Sequence, residues 1–197
     1  MSDYRQHSYA FERHEMSMDR AHALAIGRFL RAIEPPRMVV EVGCCHGVST
    51  AEILAVSDDR GFAVHLIDFA FQPSVAAMLR EYGRATTYQG MSINQLSTVL
   101  APDVVLVLDG DHRRVYMEME AGIVANTQPR AVILHDVTNT RPDCDGPAWF
   151  LHRFQCDGYF VAMDYLHRDN ARTDRGLAFL CRSVPDLTAA RAACSSV

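Results

Sequence analysis

Val39-Val40-Glu41-Val42-Gly43-Cys44-Cys45-His46-Gly47-Val48-Ser49-Thr50 is the stretch whose reading decides the fold. Together with Met38 before it, its opening is a short apolar run broken by one acid, the pattern of a strand buried on both faces. Gly43 supplies a tight turn off that strand, and Gly47 lets the following helix approach closely. The helix runs from Ser49 toward Val56.

The same alternation continues on both sides. Upstream, Ser17–Ile33 has a helical pattern, with Leu24, Phe29, Leu30 and Ile33 on one side and Arg20, Arg28 and Arg31 among the polar positions. Pro35-Pro36 stops it. The first 16 residues are polar and aromatic, and their order is left open. Downstream, strands are expected at Ala63–Ile67, Ala85–Tyr88, Val104–Leu108 and Ala131–Leu134, and near Tyr159–Met163 and Leu177–Cys181. Helices are expected from Pro73, over Ser92–Leu100 with Ser92 as N-cap, over Val115–Ala125, and from Gly146-Pro147 to Phe154. Short Val/Ile/Leu runs separated by helices imply an α/β fold, a mostly parallel seven-stranded sheet with helices on both faces. Residues 35–197 form that domain, and residues 1–34 are a segment and helix that pack on or cap its active site.

Composition narrows the function. The chain has 197 residues, a net charge of −5 and 49% hydrophobic residues, enough for one domain with a full core. A mildly acidic chain with scattered Arg has no electrostatic footprint for nucleic acid. No apolar run approaches the ~20 residues of a membrane span, and no basic stretch followed by an apolar core opens the chain. Six cysteines, at 44, 45, 144, 156, 181 and 194, show no CxxC pair and read as reduced thiols of a cytoplasmic protein. Cys44-Cys45-His46 is a poor zinc motif, because three adjacent side chains cannot all converge on one tetrahedral ion.

In a parallel sheet, ligands bind beyond the C-terminal ends of the strands. Glu41, Gly43, Asp68, Asp109, His135 and Asp136 all fall at such ends. Asp68 comes 21 residues after Gly47, where an acid can accept ribose hydroxyls in charge-assisted bonds worth roughly 1.5–3 kcal/mol each. The GxGxxG fingerprint is absent. Cys45 stands where a pyrophosphate needs close backbone approach, so a dinucleotide is disfavoured. S-adenosylmethionine (SAM) has no phosphate, and its sulfonium and ammonium suit Glu41. The alternative is that Glu41 simply caps or pairs near a helix.

Four motifs in order carry a resemblance: Val40 to Thr50, Gly90-Met91-Ser92, Asp109-Gly110-Asp111-His112 and His135-Asp136, with Gly176–Leu180 as a closing strand. Residues 38 to 181 resemble the class I SAM-dependent methyltransferases, and within them the small-molecule O-methyltransferases of sugars and natural products. The resemblance implies that Glu41, Gly43, Gly47 and Asp68 hold SAM, with Ser92 near the adenine and Asp109 beside the methyl.

Asp109 and Asp136 end neighbouring strands, and two unpaired carboxylates across one cleft would repel unless a cation bridged them. The resemblance implies Asp109 and Asp136 as ligands of Mg²⁺ or Mn²⁺, with His112 or Asp111 as base. His135 stands where that group often has an acid or amide; as a ligand it would favour Mn²⁺ or another transition ion. His112 is suited to base catalysis by its ordinary pKa near ~6.5, or else caps the next helix or lies exposed. Asp111, just before a helix, is also a natural N-cap.

His14, His22, His46, His65, His152 and His167 show no spacing signal and read as structural or surface residues. The polar segment Val137–Pro147 is expected to hang over the acceptor side. Trp149, Phe150, Tyr4, Tyr9 and Phe11 are candidates for a pocket wall, or else core. The expected partner is a small hydroxylated methyl acceptor, with no nucleic acid or membrane. The small size leaves room for a homodimer that completes the pocket. A metal-free N- or C-methyltransferase with His112 as base, a non-catalytic SAM-binding protein, and a Rossmann-like hydrolase or isomerase using the Asp109/Asp136 pair remain as alternatives.

Overall fold

The structure is a computed structural model, which describes residues 3–11, 14, 17–139, 141–164 and 175–195. His167 lies outside them. The strands are β1 (Met38–Val42), β2 (Ala63–Asp68), β3 (Thr86–Gln89), β4 (Val104–Leu108), β5 (Ala131–His135), β6 (Phe160–Asp164) and β7 (Leu177–Cys181). They form one seven-stranded sheet in the order β3-β2-β1-β4-β5-β7-β6. The first five are parallel, and β7 runs antiparallel between β5 and β6. The expected seven-stranded, mostly parallel α/β fold is present.

The helices are α1 (Arg5–Ser8), α2 (Arg20–Ala32), α3 (Val48–Arg60), α4 (Pro73–Tyr82), α5 (Ile93–Val99), α6 (Arg114–Thr127), α7 (Gly146–Cys156) and α8 (Val184–Ser195). Successive strand residues point to opposite faces, so each strand feeds two cores. Val39, Val105, Val107 and Ile133 pack with Phe29 of α2 and Ile53 of α3. Val40, Val42, Leu106, Leu108 and Leu134 pack with Leu96 of α5, Val124 of α6 and Phe150 of α7. The strand order reverses between β1 and β4, and a ligand crevice is expected at such a switch point.

Several local expectations are corrected. Helix α8 has no counterpart in the sequence reading. Residues 3–11 pack on the domain: Tyr4 donates to Asp58, the Arg5 guanidinium pairs with Glu52, and Tyr9 donates to the same carboxylate. Ser92 stands at the head of α5, but its hydroxyl makes no cap and donates to Glu120 of α6 instead. Arg113, not Asp111, occupies the N-cap of α6. Among the described residues, no helix is long and apolar enough to cross a membrane, and all six cysteines are free.

Candidate active site

The switch point is built from backbone first. Gly43 N–H donates to Ile67 O of β2, while Asp109 N–H donates to Val42 O, so the loop after β1 is wedged between the ends of β2 and β4. Gly43 has φ +81°, and a Cβ there would lie 2.1 Å from the Asp109 carbonyl oxygen. Cys45 takes a left-handed φ of +45°, unusual for a residue with a side chain. Asp68 holds this turn: its carboxylate accepts from the N–H groups of Cys44 at 2.7 Å, Cys45 at 3.1 Å and Ala70 at 3.1 Å. A carboxylate has about four acceptor positions, which leaves room for a ligand hydroxyl.

A cavity of about 690 Å³ opens over these strand ends. Gly43, Asp68, Ser92, Asp109, Asp111, His112 and Asp136 line it. Asn139, Arg141, Asp143 and Cys144 line it from the polar segment after β5. Three of the expected residues stand outside its wall. Gly47 starts α3 with φ +83°, and a Cβ on it would meet Met78 Cε at 2.2 Å, so its role is helix packing. Glu41 is fully buried and turns toward α3, where Ser49 Oγ and Thr50 Oγ1 donate to it at 2.5 and 2.7 Å. Burial outweighs those two bonds and pushes Glu41 up to about 7. His135 lies behind the wall.

The expected aromatic wall is absent from this lining as well. Tyr4 and Phe150 are core, and Phe11 stacks on His46 with ring centroids 4.5 Å apart. Phe69 and Tyr116 line the cavity instead.

Four titratable side chains gather at the ends of β4 and β5. His135 Nδ1 is 2.9 Å from Asp109 Oδ1 and 3.3 Å from Asp136 Oδ1. His112 places Nε2 3.3 Å from Asp109 Oδ1 and Nδ1 3.4 Å from Asp136 Oδ2. Arg175 faces Asp136 at 3.7 Å and donates to Ser17 O. Burial would push both imidazoles down, but the two carboxylates outweigh it: His135 is held up to about 9, and His112 is raised. Burial would raise Asp109 in turn, yet the two histidines pull it well below the usual carboxylate range. Asp111 is bound by the Arg113 guanidinium, which lowers it and leaves it a weak base.

Among the described residues, two groups have ligand-type atoms within 4.8 Å of one another: Asp109, His112 and Asp136, and Asp19, His22 and His135. The sequence reading put His135 with the two aspartates and His112 beside them as base; in the structure His112 joins the aspartates. His22 and Asp19 had no signal in the sequence. His22 is wholly buried, and its Nδ1 lies 3.1 Å from His135 Nε2, a contact between residues 113 positions apart.

Glu120 was also missed. It is 2% exposed beneath Ser92, and burial pushes it up to about 7 despite the Ser92 hydrogen bond. A carboxyl whose folded pKa exceeds its unfolded value stabilises fully below the unfolded value. That stability is lost as pH rises through the folded pKa. Glu120 therefore costs stability progressively between pH 4.5 and about 7. Glu120→Gln keeps an acceptor for Ser92 and removes the charge. It should raise the melting temperature at pH 8 by several degrees, corresponding to up to about 3 kcal/mol, and leave it unchanged at pH 4. Thermal melts across this range check it; equal curves for the two proteins would refute it.

No protein-family model matches the chain, and no curated protein matches its sequence. Solved structures do. The O-methyltransferase TomG from Streptomyces achromogenes, involved in tomaymycin synthesis and solved with SAM, is 16% identical with a TM-score of 0.64, covering 93% of this chain and 91% of TomG. The Podospora anserina methyltransferase PaMTH1, bound to S-adenosylhomocysteine, is 14% identical with a TM-score of 0.63, covering 93% and 89%. A precorrin-6y C5,15-methyltransferase from Geobacter metallireducens is 13% identical with a TM-score of 0.59, covering 86% and 92%. The chain thus has the Rossmann-like fold of these methyltransferases.

Proposed function

We propose that the chain is a SAM-dependent methyltransferase, an O-methyltransferase of a hydroxylated small molecule such as a sugar or secondary metabolite, assisted by a divalent ion. One observation carries this reading: a single cavity is lined both by the Gly43 loop and Asp68 and by Asp109, His112 and Asp136. Its volume suits a cofactor-sized ligand. Its acids suit a cationic one. The cofactors of TomG and PaMTH1, on the same fold, agree with it.

The donor set fits a metal. His112 Nε2 and Asp136 Oδ1 are buried with ion-pair contacts of 3.3 Å or longer and no well-aligned hydrogen bond, and buried polar atoms seldom go without one. A mixed imidazole and carboxylate set suits Mn²⁺ or another transition ion better than Mg²⁺. A divalent ion there would lower the pKa of an acceptor hydroxyl and make it nucleophilic near neutral pH. The protein's own contribution is alignment of acceptor and methyl in a sheltered crevice, which can supply ~7–11 kcal/mol. A metal-free reaction would need His112 as base, and the two carboxylates oppose that by keeping its proton on.

Calorimetry with S-adenosylhomocysteine tests the cofactor. Asp68→Ala should weaken binding by roughly 1.5–3 kcal/mol, about tenfold to a hundredfold. It also frees the Cys44 and Cys45 N–H groups, so Asp68→Asn, which keeps an acceptor for them, should lose less. An unchanged affinity in a folded Asp68→Ala protein would remove Asp68 from the site.

A further inference from the structure

We propose that His22, on the helix ahead of the sheet, is a positioning residue for the Asp109 carboxylate and acts through His135. The proposal rests on the reading of Asp109 as part of the active site. Asp109 Oδ1 receives two contacts, from His135 Nδ1 at 2.9 Å and from His112 Nε2 at 3.3 Å. An ionised carboxylate only accepts, so His135 Nδ1 carries a proton and donates it to Asp109. That leaves Nε2 on the far side of the ring, 3.1 Å from His22 Nδ1, with the two rings at 75° to each other.

The backbone of β5 fixes where His135 begins, but not which way its ring faces. Torsion about the bond to the ring is broad and two-fold. A half-turn would point carbon atoms at both Asp109 and His22. His135 is 1% exposed and His22 wholly buried, so water offers little compensation. Each lost partner would cost the desolvation of a buried polar group. His22 therefore fixes the ring in the orientation that holds Asp109 Oδ1, and with it the carboxylate of a residue that lines the cavity. The same segment braces the second carboxylate: Arg175 donates to Ser17 O and faces Asp136. Both acids of the site are thus tied to residues 17–22, ahead of the sheet.

The test uses the full chain with ¹⁵N-labelled histidine. His22→Leu fills the space without a hydrogen bond. His22→Asn puts an amide near the place of Nδ1. His22→Gln, whose amide reaches the place of Nε2, is the second loss variant if His22→Leu does not fold. In His22→Leu and His22→Gln the His135 ring-nitrogen signals should shift, and Mn²⁺ affinity should fall several-fold, less than the about 10- to 100-fold loss when a direct partner of a metal ligand is removed. In His22→Asn both should stay near wild type. S-adenosylhomocysteine affinity should stay within a few fold in all of them. Unchanged His135 signals in His22→Leu, or equal losses in His22→Asn and His22→Leu, would overturn the proposal, the second because it marks packing alone. If the wild type binds no Mn²⁺, the metal reading falls and the His135 signals decide. If it binds no S-adenosylhomocysteine, the cofactor reading falls and the positioning role still stands or falls on the same signals.

Discussion

Gly43→Val is expected to yield a protein that binds no S-adenosylhomocysteine by calorimetry and is destabilised by about 2–6 kcal/mol, combining left-handed backbone strain of about 1–3 with overpacking of about 1–3. The sequence alone suggests a turn that a β-branched residue would spoil, beside a ligand that must pass. The structure locates the larger obstacle in the protein. A Cβ at 43 would sit 2.1 Å from Asp109 O, 2.5 Å from Asp109 C and 2.8 Å from Gly110 Cα. All three are backbone atoms at the end of β4 and cannot swing away as a side chain would. Relief requires the ends of β1 and β4 to part, which moves Asp109 and reshapes the crevice. Gly61 separates strain from collision, since its φ is +80° and nothing lies within 4 Å of its Cβ position. Gly61→Ala should cost only about 1–2 kcal/mol, the strain of a left-handed residue, and leave binding unchanged. Binding by Gly43→Val within a few fold of wild type would mean that the cofactor does not use this loop.

The contrast between Gly43 and His22 shows what kind of information lies in the chain. Buried parallel strands must be nearly continuous apolar runs, so β1, β4 and β5 are legible from their valines, isoleucines and leucines. Their ends are marked by Gly43, Asp109 and His135, and the site lies at such ends for topological reasons. Even the direction of Glu41 is encoded. Val40 and Val42 face the α5–α6 core, so Glu41 between them must face α3, away from the cavity. Helix α8 was harder to see because its buried face is Leu187, Ala190, Ala193 and Cys194. That spacing is helical, but alanine carries little apolar weight. His22 leaves no local trace. Its partner is 113 residues away, and the contact exists only because α2 packs where β5 ends. Glu120 is similar: nothing near it in sequence announces that Ser92 will bond to it rather than cap its own helix.

Asp109→Asn is expected to abolish Mn²⁺ binding and lower methyl transfer roughly 10²–10⁴-fold, the equivalent of several kcal/mol of charge stabilisation. S-adenosylhomocysteine affinity should stay within a few fold, because the carboxylate of Asp68 and the turn at Gly43 are left unchanged. The substitution keeps the shape of the side chain and changes its charge. In the metal-free protein the Asp109 carboxylate is one of two that raise His112 and His135, so both imidazoles should titrate lower in the mutant, His135 below about 9. This makes the substitution decisive between two mechanisms. If His112 were a general base, a lower pKa would leave more of it neutral near pH 7, and the loss should be mild. If Asp109, His112 and Asp136 hold an ion, the loss should be large and should track the loss of Mn²⁺. Chelator should then suppress wild-type turnover on a panel of hydroxylated acceptors, and Mn²⁺ should restore it better than Mg²⁺, as expected for a site with an imidazole donor. Turnover indifferent both to chelator and to Asp109→Asn would leave His112 to do the acid–base chemistry alone. His112→Ala should then cost the ~10²–10⁴ of a general base.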